Sequence, residues 1–200
     1  NWEKARANGN EYWMARAKDG LAWILVEVGH FHSGEFVSAA NIFEETLPVY
    51  RKLGRKFAEA VCVQGLSRAY AGGGDYDLGL KYANEALRMM RESGDERLIQ
   101  LPLTQIAMIY RDNGSFERSR PYFEQALDAA DRNQDPFTQA TVALAYGCLL
   151  SFTGEKEAAR EMWRSVQPMI AELGLHRLGH EINSRLATHA EAKGDFEEAY

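Results

Sequence analysis

The sequence predicts an all-α solenoid of antiparallel helix pairs, and three observations carry that prediction. One turn recurs at a fixed interval: Gly34-Glu35-Phe36, Gly74-Asp75-Tyr76, Gly114-Ser115-Phe116, Gly154-Glu155-Lys156 and Gly194-Asp195-Phe196 stand 40 residues apart. A period of that length marks a stack of supersecondary units that touch their neighbours, not a single globular core. Between the markers, apolar residues fall at helical spacing, as in Phe36, Ala39, Ala40, Phe43, Leu47 and Tyr50, and strand signals are absent.

Each repeat reads as two helices. Helix B follows the marker turn and is expected near 35–53, 75–93, 115–132 and 155–173. It closes at a second periodic marker, Gly54, Gly94 and Gly174, where glycine takes the left-handed conformation that ends a helix. Gln134 holds that place in the series, so the neighbouring Asn133 is expected to make the turn there. Helix A follows, near 57–72, 97–112, 137–152 and 177–192, with Asp135-Pro136 as an N-cap and first-turn proline and Asp95 capping in the same way. Asp75, Ser115 and Asp195 are expected to cap their B helices.

Proline tests the assignment, because inside a helix it removes a hydrogen bond. Pro48 and Pro168 lie three periods apart at one register of helix B, so a bend at that register fits the repeat. Pro102 and Pro121 fall in early turns of the third repeat, where local distortion is expected. The first twenty residues follow the period less well. Trp2 to Asn8 reads as the tail of a helix B, and a break is expected at Asp19-Gly20, the alternative being one helix from Glu11 to His32 with Gly20 inside it.

Composition narrows the classes. The 200 residues are 46% apolar and 26% charged, with no apolar run near the ~18 residues that a membrane span requires. The net charge of -6, from 29 acidic and 23 basic residues, argues against non-specific attraction to nucleic acid. The two cysteines, Cys62 and Cys148, sit in apolar stretches and read as reduced thiols of a cytoplasmic protein. The chain opens without Met or a leader and stops just after the fifth turn. Residues 1–200 are therefore read as one repeat domain cut from a longer protein.

Aligned on the marker glycine, the units resemble the tetratricopeptide repeat (TPR). The second reads Val63, Leu66-Ser67 and Tyr70 before its turn, then Gly79 and Ala86. The third reads Leu103, Ile106-Ala107 and Tyr110, then Ser119, Phe123 and Ala126. The fourth has Gly147, Ala159 and Trp163, with Lys156 replacing the aromatic residue after the turn. Small residues let the two helices approach and aromatic ones fill the gap to the next unit. The resemblance covers residues 21–200 and implies a right-handed superhelical solenoid. The 40-residue unit, longer than the common 34, is similar to those in sensor arms of bacterial signal-transduction ATPases and transcription regulators of the STAND type. Phe43-Glu44-Glu45-Thr46-Leu47 and Tyr50-Arg51-Lys52-Leu53-Gly54 carry that likeness. Animal adaptors with long units have a ladder of asparagines in helix A, which Ser67, Arg68, Ala107 and Met108 do not supply.

Candidate chemistry is sparse. His176 and His180 share a helical face with Glu181 beside them and His189 beyond, but His180-Glu181-Ile182-Asn183 lacks the second histidine of a zincin. His30 and His32 point to different sides. Ala71-Gly72-Gly73-Gly74-Asp75 lacks the Lys-Ser/Thr of a phosphate loop. Glu44-Glu45 belongs to an exposed face. No enzyme, cofactor or metal is expected.

The resemblance places binding on the concave face lined by helix A. The candidate site is Gln64, Arg68, Thr104, Met108, Arg111, Leu144, Cys148 and Phe152. The same wall takes Leu21, Ile24, Val28, Phe31 and His32 in the first repeat, Val61 and Ala71 in the second, Leu101 and Asp112 in the third, Thr141 and Ser151 in the fourth, and Glu181, Ser184, Thr188 and Glu191 in the fifth. Arg68 and Arg111 would read a carboxylate of a protein or peptide, while Met108, Leu144 and Phe152 take an apolar side chain; the plainer reading pairs the arginines with nearby acids such as Asp112. The expected function is a non-enzymatic protein- or peptide-binding scaffold, the sensor or interaction arm of a larger bacterial regulator, touching neither nucleic acid nor membrane. Alternatives are an inducer pocket sealed by Phe31 or Phe152, a self-association module, and a eukaryotic-type adaptor.

Overall fold

The computed structural model describes residues 10–29, 34–94 and 98–191. Among the described residues there is no strand, and the helices follow in order: α1 (Glu11–Val28), α2 (Gly34–Lys52), α3 (Lys56–Gly72), α4 (Tyr76–Glu92), α5 (Gln100–Asp112), α6 (Phe116–Arg132), α7 (Pro136–Phe152), α8 (Lys156–Glu172) and α9 (His176–Glu191). Among the described residues each of the expected A and B helices is present. The largest boundary shift is at α5, which starts at Gln100 after a tight turn at Leu98 and Ile99. Pro102 then occupies the first turn, where its missing N–H costs nothing. Helix α6 continues through Pro121, and α2 and α8 continue through Pro48 and Pro168. Both of the latter are exposed, so water can satisfy the carbonyl that loses its helical donor.

The chain forms two compact units, residues 1–109 and 110–200, with the boundary inside α5. In the first, α1 packs on α2, α2 on α3 and α3 on α4, and α1 also reaches α3. In the second, α6 packs on α7, α7 on α8 and α8 on α9, and α9 reaches α7. Contact with the next helix and the next but one is the packing expected of stacked helix pairs. The fully buried side chains include Phe43, Tyr50, Val63 and Leu66 in the first unit and Phe123, Leu149, Trp163 and Ile182 in the second.

Two glycines explain how close the helices come. A Cβ on Gly65 would stand 2.4 Å from the Phe43 ring, and one on Gly147 would stand 2.1 Å from Trp163 Nε1. The aromatic side chains of one helix occupy the space that a side chain on the next would need. The Trp163 indole uses that proximity, donating to the Leu144 carbonyl at 3.2 Å.

The marker turns share one geometry. Gly74, Gly114 and Gly154 have φ of 89°, 73° and 91°, and Gly54, Gly94 and Gly174 have φ of 62°, 69° and 64°. At most of them the following residue donates its N–H to the carbonyl five positions back, as Asp75 does to Tyr70 at 2.9 Å and Arg55 to Tyr50 at 2.9 Å. This closure satisfies a terminal carbonyl of the preceding helix. Helix α2 begins at Gly34 itself.

The turn at Gln134 corrects an expectation. Asn133 is right-handed, and Gln134 itself takes the left-handed conformation with φ 51°. The hydrogen bond from Asp135 to Ala130 at 3.0 Å forces the period's geometry on a residue with a Cβ. Gln134 is exposed, and relief of its backbone strain outweighs the extra freedom of an unfolded glycine. Gln134→Gly is therefore expected to raise stability by roughly 0.5–1 kcal/mol, read as a higher urea midpoint at unchanged slope; a lower midpoint would refute the assignment of strain.

The caps divide. Asp75 accepts from Leu78 N at 3.0 Å and Asp135 from Thr138 N at 3.1 Å, as expected. Ser115 makes no side-chain cap bond, which corrects the expectation for it. Asp95 and Asp195 lie outside the described residues, as does the stretch from Trp2 to Asn8.

The expected break at Asp19-Gly20 is also corrected. Helix α1 runs unbroken from Glu11 to Val28, with Asn10 as its cap. Asp19 faces inward, 1% exposed. Its two oxygens accept from the Thr46 hydroxyl at 2.6 Å and the Tyr50 hydroxyl at 2.7 Å. A charged residue beside a glycine reads as a turn, but here it ties the core of the first helix pair. Cys62 lies against the same cluster, its thiol 3.3 Å from the Phe43 carbonyl and pushed up to about 12 by burial.

Candidate functional site

The wall residues are described within each unit. In the first, the exposed face of α1 is apolar: Leu21 is 52%, Ile24 60% and Val28 39% exposed. One repeat on, Gln64 is buried and Val61 half-buried. Arg68 is half-buried and engaged twice. Its guanidinium meets Glu27 at 2.8 Å and lies over the Trp23 ring, 5.4 Å from the centroid. Thr104 donates to the Gln100 carbonyl at 2.7 Å, and Met108 is half-buried on the same helix.

In the second unit Arg111 lies along Asp112, with contacts of 2.8 and 2.7 Å. Leu144 is buried, so only its edge meets solvent. Cys148 is half-buried; burial raises its thiol, and the nearby Arg185 and Arg111 oppose that rise. Phe152 is 78% exposed, its ring 6.3 Å from Phe116. Phe31 and His32 lie outside the described residues.

Three wall residues of the fifth repeat do come together. Glu181, Ser184 and Thr188 line a shallow cavity of about 470 Å³ with Arg177, His180 and Arg185. Arg185, which meets Glu181 at 3.2 Å, was not among the sequence candidates. The period was the available signal: residue 185 follows Gly65 and Ala145 in register, neither of them charged. Trp23 and Glu27, the partners of Arg68, were also missed, because each lies 41–45 residues earlier on a different helix. A second cavity of about 600 Å³, between the start of α3 and the end of α4, is lined by Phe57, Met89, Met90 and Leu98 and edged by Lys56 and Arg88.

Among the described residues no three His, Cys, Asp or Glu side chains gather as a metal site. Among the same residues no helix is long and apolar enough to cross a membrane.

Comparison with known proteins agrees with this architecture. Residues 98–167 match the family model described as Tetratricopeptide repeat. Among curated protein sequences none matches significantly. Several solved structures share the fold. A P. anserina protein with nearly identical TPR-like repeats is 16% identical, with a TM-score of 0.69 over 92% of this chain and 89% of that one. BtubC (BKLC) from P. vanneervenii is 15% identical, with a TM-score of 0.64 over 95% of this chain and 87% of that one. A STAND protein with a tetratricopeptide repeat sensor from Pyrococcus horikoshii is 18% identical, with a TM-score of 0.67 over 96% of this chain and 35% of that one. Repeats of this kind generally serve as protein-interaction scaffolds.

Proposed function

We infer that this chain, a tetratricopeptide-repeat protein by its match over residues 98–167 and by its fold, is a non-enzymatic scaffold that binds a protein or peptide through the faces of its A helices. The observation that carries the reading is the setting of the two arginines. Arg68 and Arg111 are each held by an exposed carboxylate, with Glu27 55% and Asp112 44% exposed. The arginines are half-buried but their carboxylate partners reach solvent, so an incoming carboxylate can exchange for the resident one. Trp23 lies against Arg68, and Met108 in the first unit and the Phe116–Phe152 pair in the second offer further apolar surface.

Within each unit an acidic side chain of a peptide flanked by an apolar one suits these features. Gln64 and Thr104 add polar groups in the first unit, and the edges of Leu144 and Cys148 add apolar surface in the second. We place the chain as the sensor or interaction arm of a larger bacterial regulator in the cytoplasm, without direct contact with nucleic acid. The likeness to a STAND protein whose sensor is built of these repeats supports that placement. Selection of peptides on the immobilised chain tests the reading. Acidic-apolar peptides should be enriched, and Arg68→Glu/Arg111→Glu should weaken their binding at least tenfold while circular dichroism stays unchanged. Equal binding by a fully helical double variant would sink it.

A further inference from the structure

The groove between neighbouring B helices is spanned by a side chain in the first unit and open in the second. In the first unit the bridge is Arg51, near the end of α2. Its guanidinium meets Glu59 of α3 at 3.1 Å and Glu85 of α4 at 3.0 Å. Beneath it Leu47 and Glu59 are each 6% exposed. Two periods of 40 residues carry Arg51 to Asp131, Glu59 to Gln139 and Glu85 to Ser165. The link from helix B to helix A survives there with donor and acceptor exchanged, because the Gln139 amide donates to Asp131 at 3.1 Å. The second arm has no counterpart: Ser165 turns back and donates to the Met162 carbonyl of its own helix at 2.7 Å. What is left is a cavity of about 390 Å³, lined by Leu127, Met162, Val166 and Met169 and edged on α6 by Asp128 and Asp131. Leu127 and Gln139, the counterparts of the covered Leu47 and Glu59, are half-buried. Asp128 is held by Arg132 one turn along at 3.0 Å, whereas the Asp131 carboxylate meets a neutral amide. The groove lies in mid-chain, between two B helices that both pack on α7.

We propose that this groove takes an arginine flanked by apolar residues from a partner protein, its guanidinium standing between α6 and α8 as that of Arg51 stands between α2 and α4. Charge complementarity selects the occupant. Where the first unit supplies a cation from its own chain, the second supplies a carboxylate, Asp131, and leaves the cation to be brought in. The position suits arginine better than lysine, because a planar fork with five donors can engage Asp131 on one helix and the Ser165 hydroxyl on the other at once. The apolar floor accepts the residues on either side of the arginine, and the thioethers of Met162 and Met169 adapt to side chains of different shape. The preference is opposite in charge to that of Arg68 and Arg111. It therefore goes beyond the scaffold reading and fails separately from it, since the probe is basic and the variants leave both arginines in place.

Methyl NMR of the 200-residue chain with isotope-labelled methionine reads the groove through Met162 and Met169, the methionines of the first unit serving as controls. The probe is the tripeptide leucyl-arginyl-leucine with both ends blocked. It should move the Met162 and Met169 signals saturably at about millimolar concentration and leave the controls in place. Citrulline in place of the arginine keeps the shape without the charge and should bind roughly tenfold more weakly. Asp131→Asn should weaken binding by a similar factor. Asp131→Arg/Ser165→Glu rebuilds the bridge of the first unit and should abolish the shifts while circular dichroism stays helical; if that variant fails to fold, Asp131→Asn, at an exposed position, carries the test. The absence of a saturable shift up to about 10 mM peptide would overturn the proposal, as would equal binding of the citrulline peptide or undiminished binding by the folded double variant. Spermidine moving both signals as strongly as the peptide would also overturn it, because attraction of any cation would then suffice.

Discussion

Replacing Gly147 with alanine is expected to lower the unfolding free energy by about 3 kcal/mol. The added carbon would lie 2.1 Å from Trp163 Nε1, far inside contact distance. Trp163 cannot withdraw cheaply: it is 1% exposed, and its indole N–H is bonded to the Leu144 carbonyl. The strain therefore falls on the separation of α7 and α8, or on the tryptophan rotamer at the cost of that bond. Urea denaturation followed by circular dichroism measures the loss. The same substitution in a Trp163→Phe background should cost at least about 1 kcal/mol less, because the ring edge that collides is gone. Equal costs in both backgrounds would show that the close approach does not limit the packing.

The second large effect centres on Asp19. Asp19→Ala removes the acceptor of the buried Tyr50 hydroxyl and one acceptor of Thr46, and is expected to cost about 2–4 kcal/mol. Asp19→Asn separates charge from hydrogen bonding. Burial holds the Asp19 carboxyl above its ordinary 3.8, against the opposing pull of Thr46, Tyr50 and Arg16. A raised folded value means that the folded state holds the proton more tightly than the unfolded state. The stability this group contributes is fully present below about 3.8 and is lost as the pH rises through the folded value. Asparagine does not titrate. The stability of wild type relative to Asp19→Asn should therefore fall as the pH rises above about 3.8, and the comparison cancels the other carboxylates. A difference that is flat, or that grows with pH, would contradict the role given to burial.

The repeat was legible in the sequence because glycine at a left-handed turn is a backbone requirement. Gly74, Gly114 and Gly154 stand where any other residue is strained. The same reasoning failed at Gln134, where the tertiary closure from Asp135 to Ala130 overrides local preference. It failed again at Asp19-Gly20, since a hydrophilic pair resembles a loop until Thr46 and Tyr50, 27 and 31 residues on, are known to face it. The helical register was legible, and it put Arg68, Arg111 and Phe152 on their A helices. Their partners were not: Glu27, Trp23 and Phe116 lie on other helices, and spacing within one helix does not reveal what meets it from the next.

The identical closure of both kinds of turn has a consequence for how such a chain can vary in length. Tyr70 to Asp75, within a pair, and Tyr50 to Arg55, between pairs, are bonded alike, so the backbone draws no distinction between entering a unit and leaving one. The unit has no privileged first residue, and only side chains distinguish helix A from helix B. Removing the segment from Ser115 to Gly154 would join Gly114 to Glu155 with the closure intact and the alternation of helix types preserved. Removing half that length would leave the backbone equally content but set two helices of one type side by side, their aromatic residues without small ones to face. Length is thus counted in pairs by the side chains, on a backbone that counts single helices.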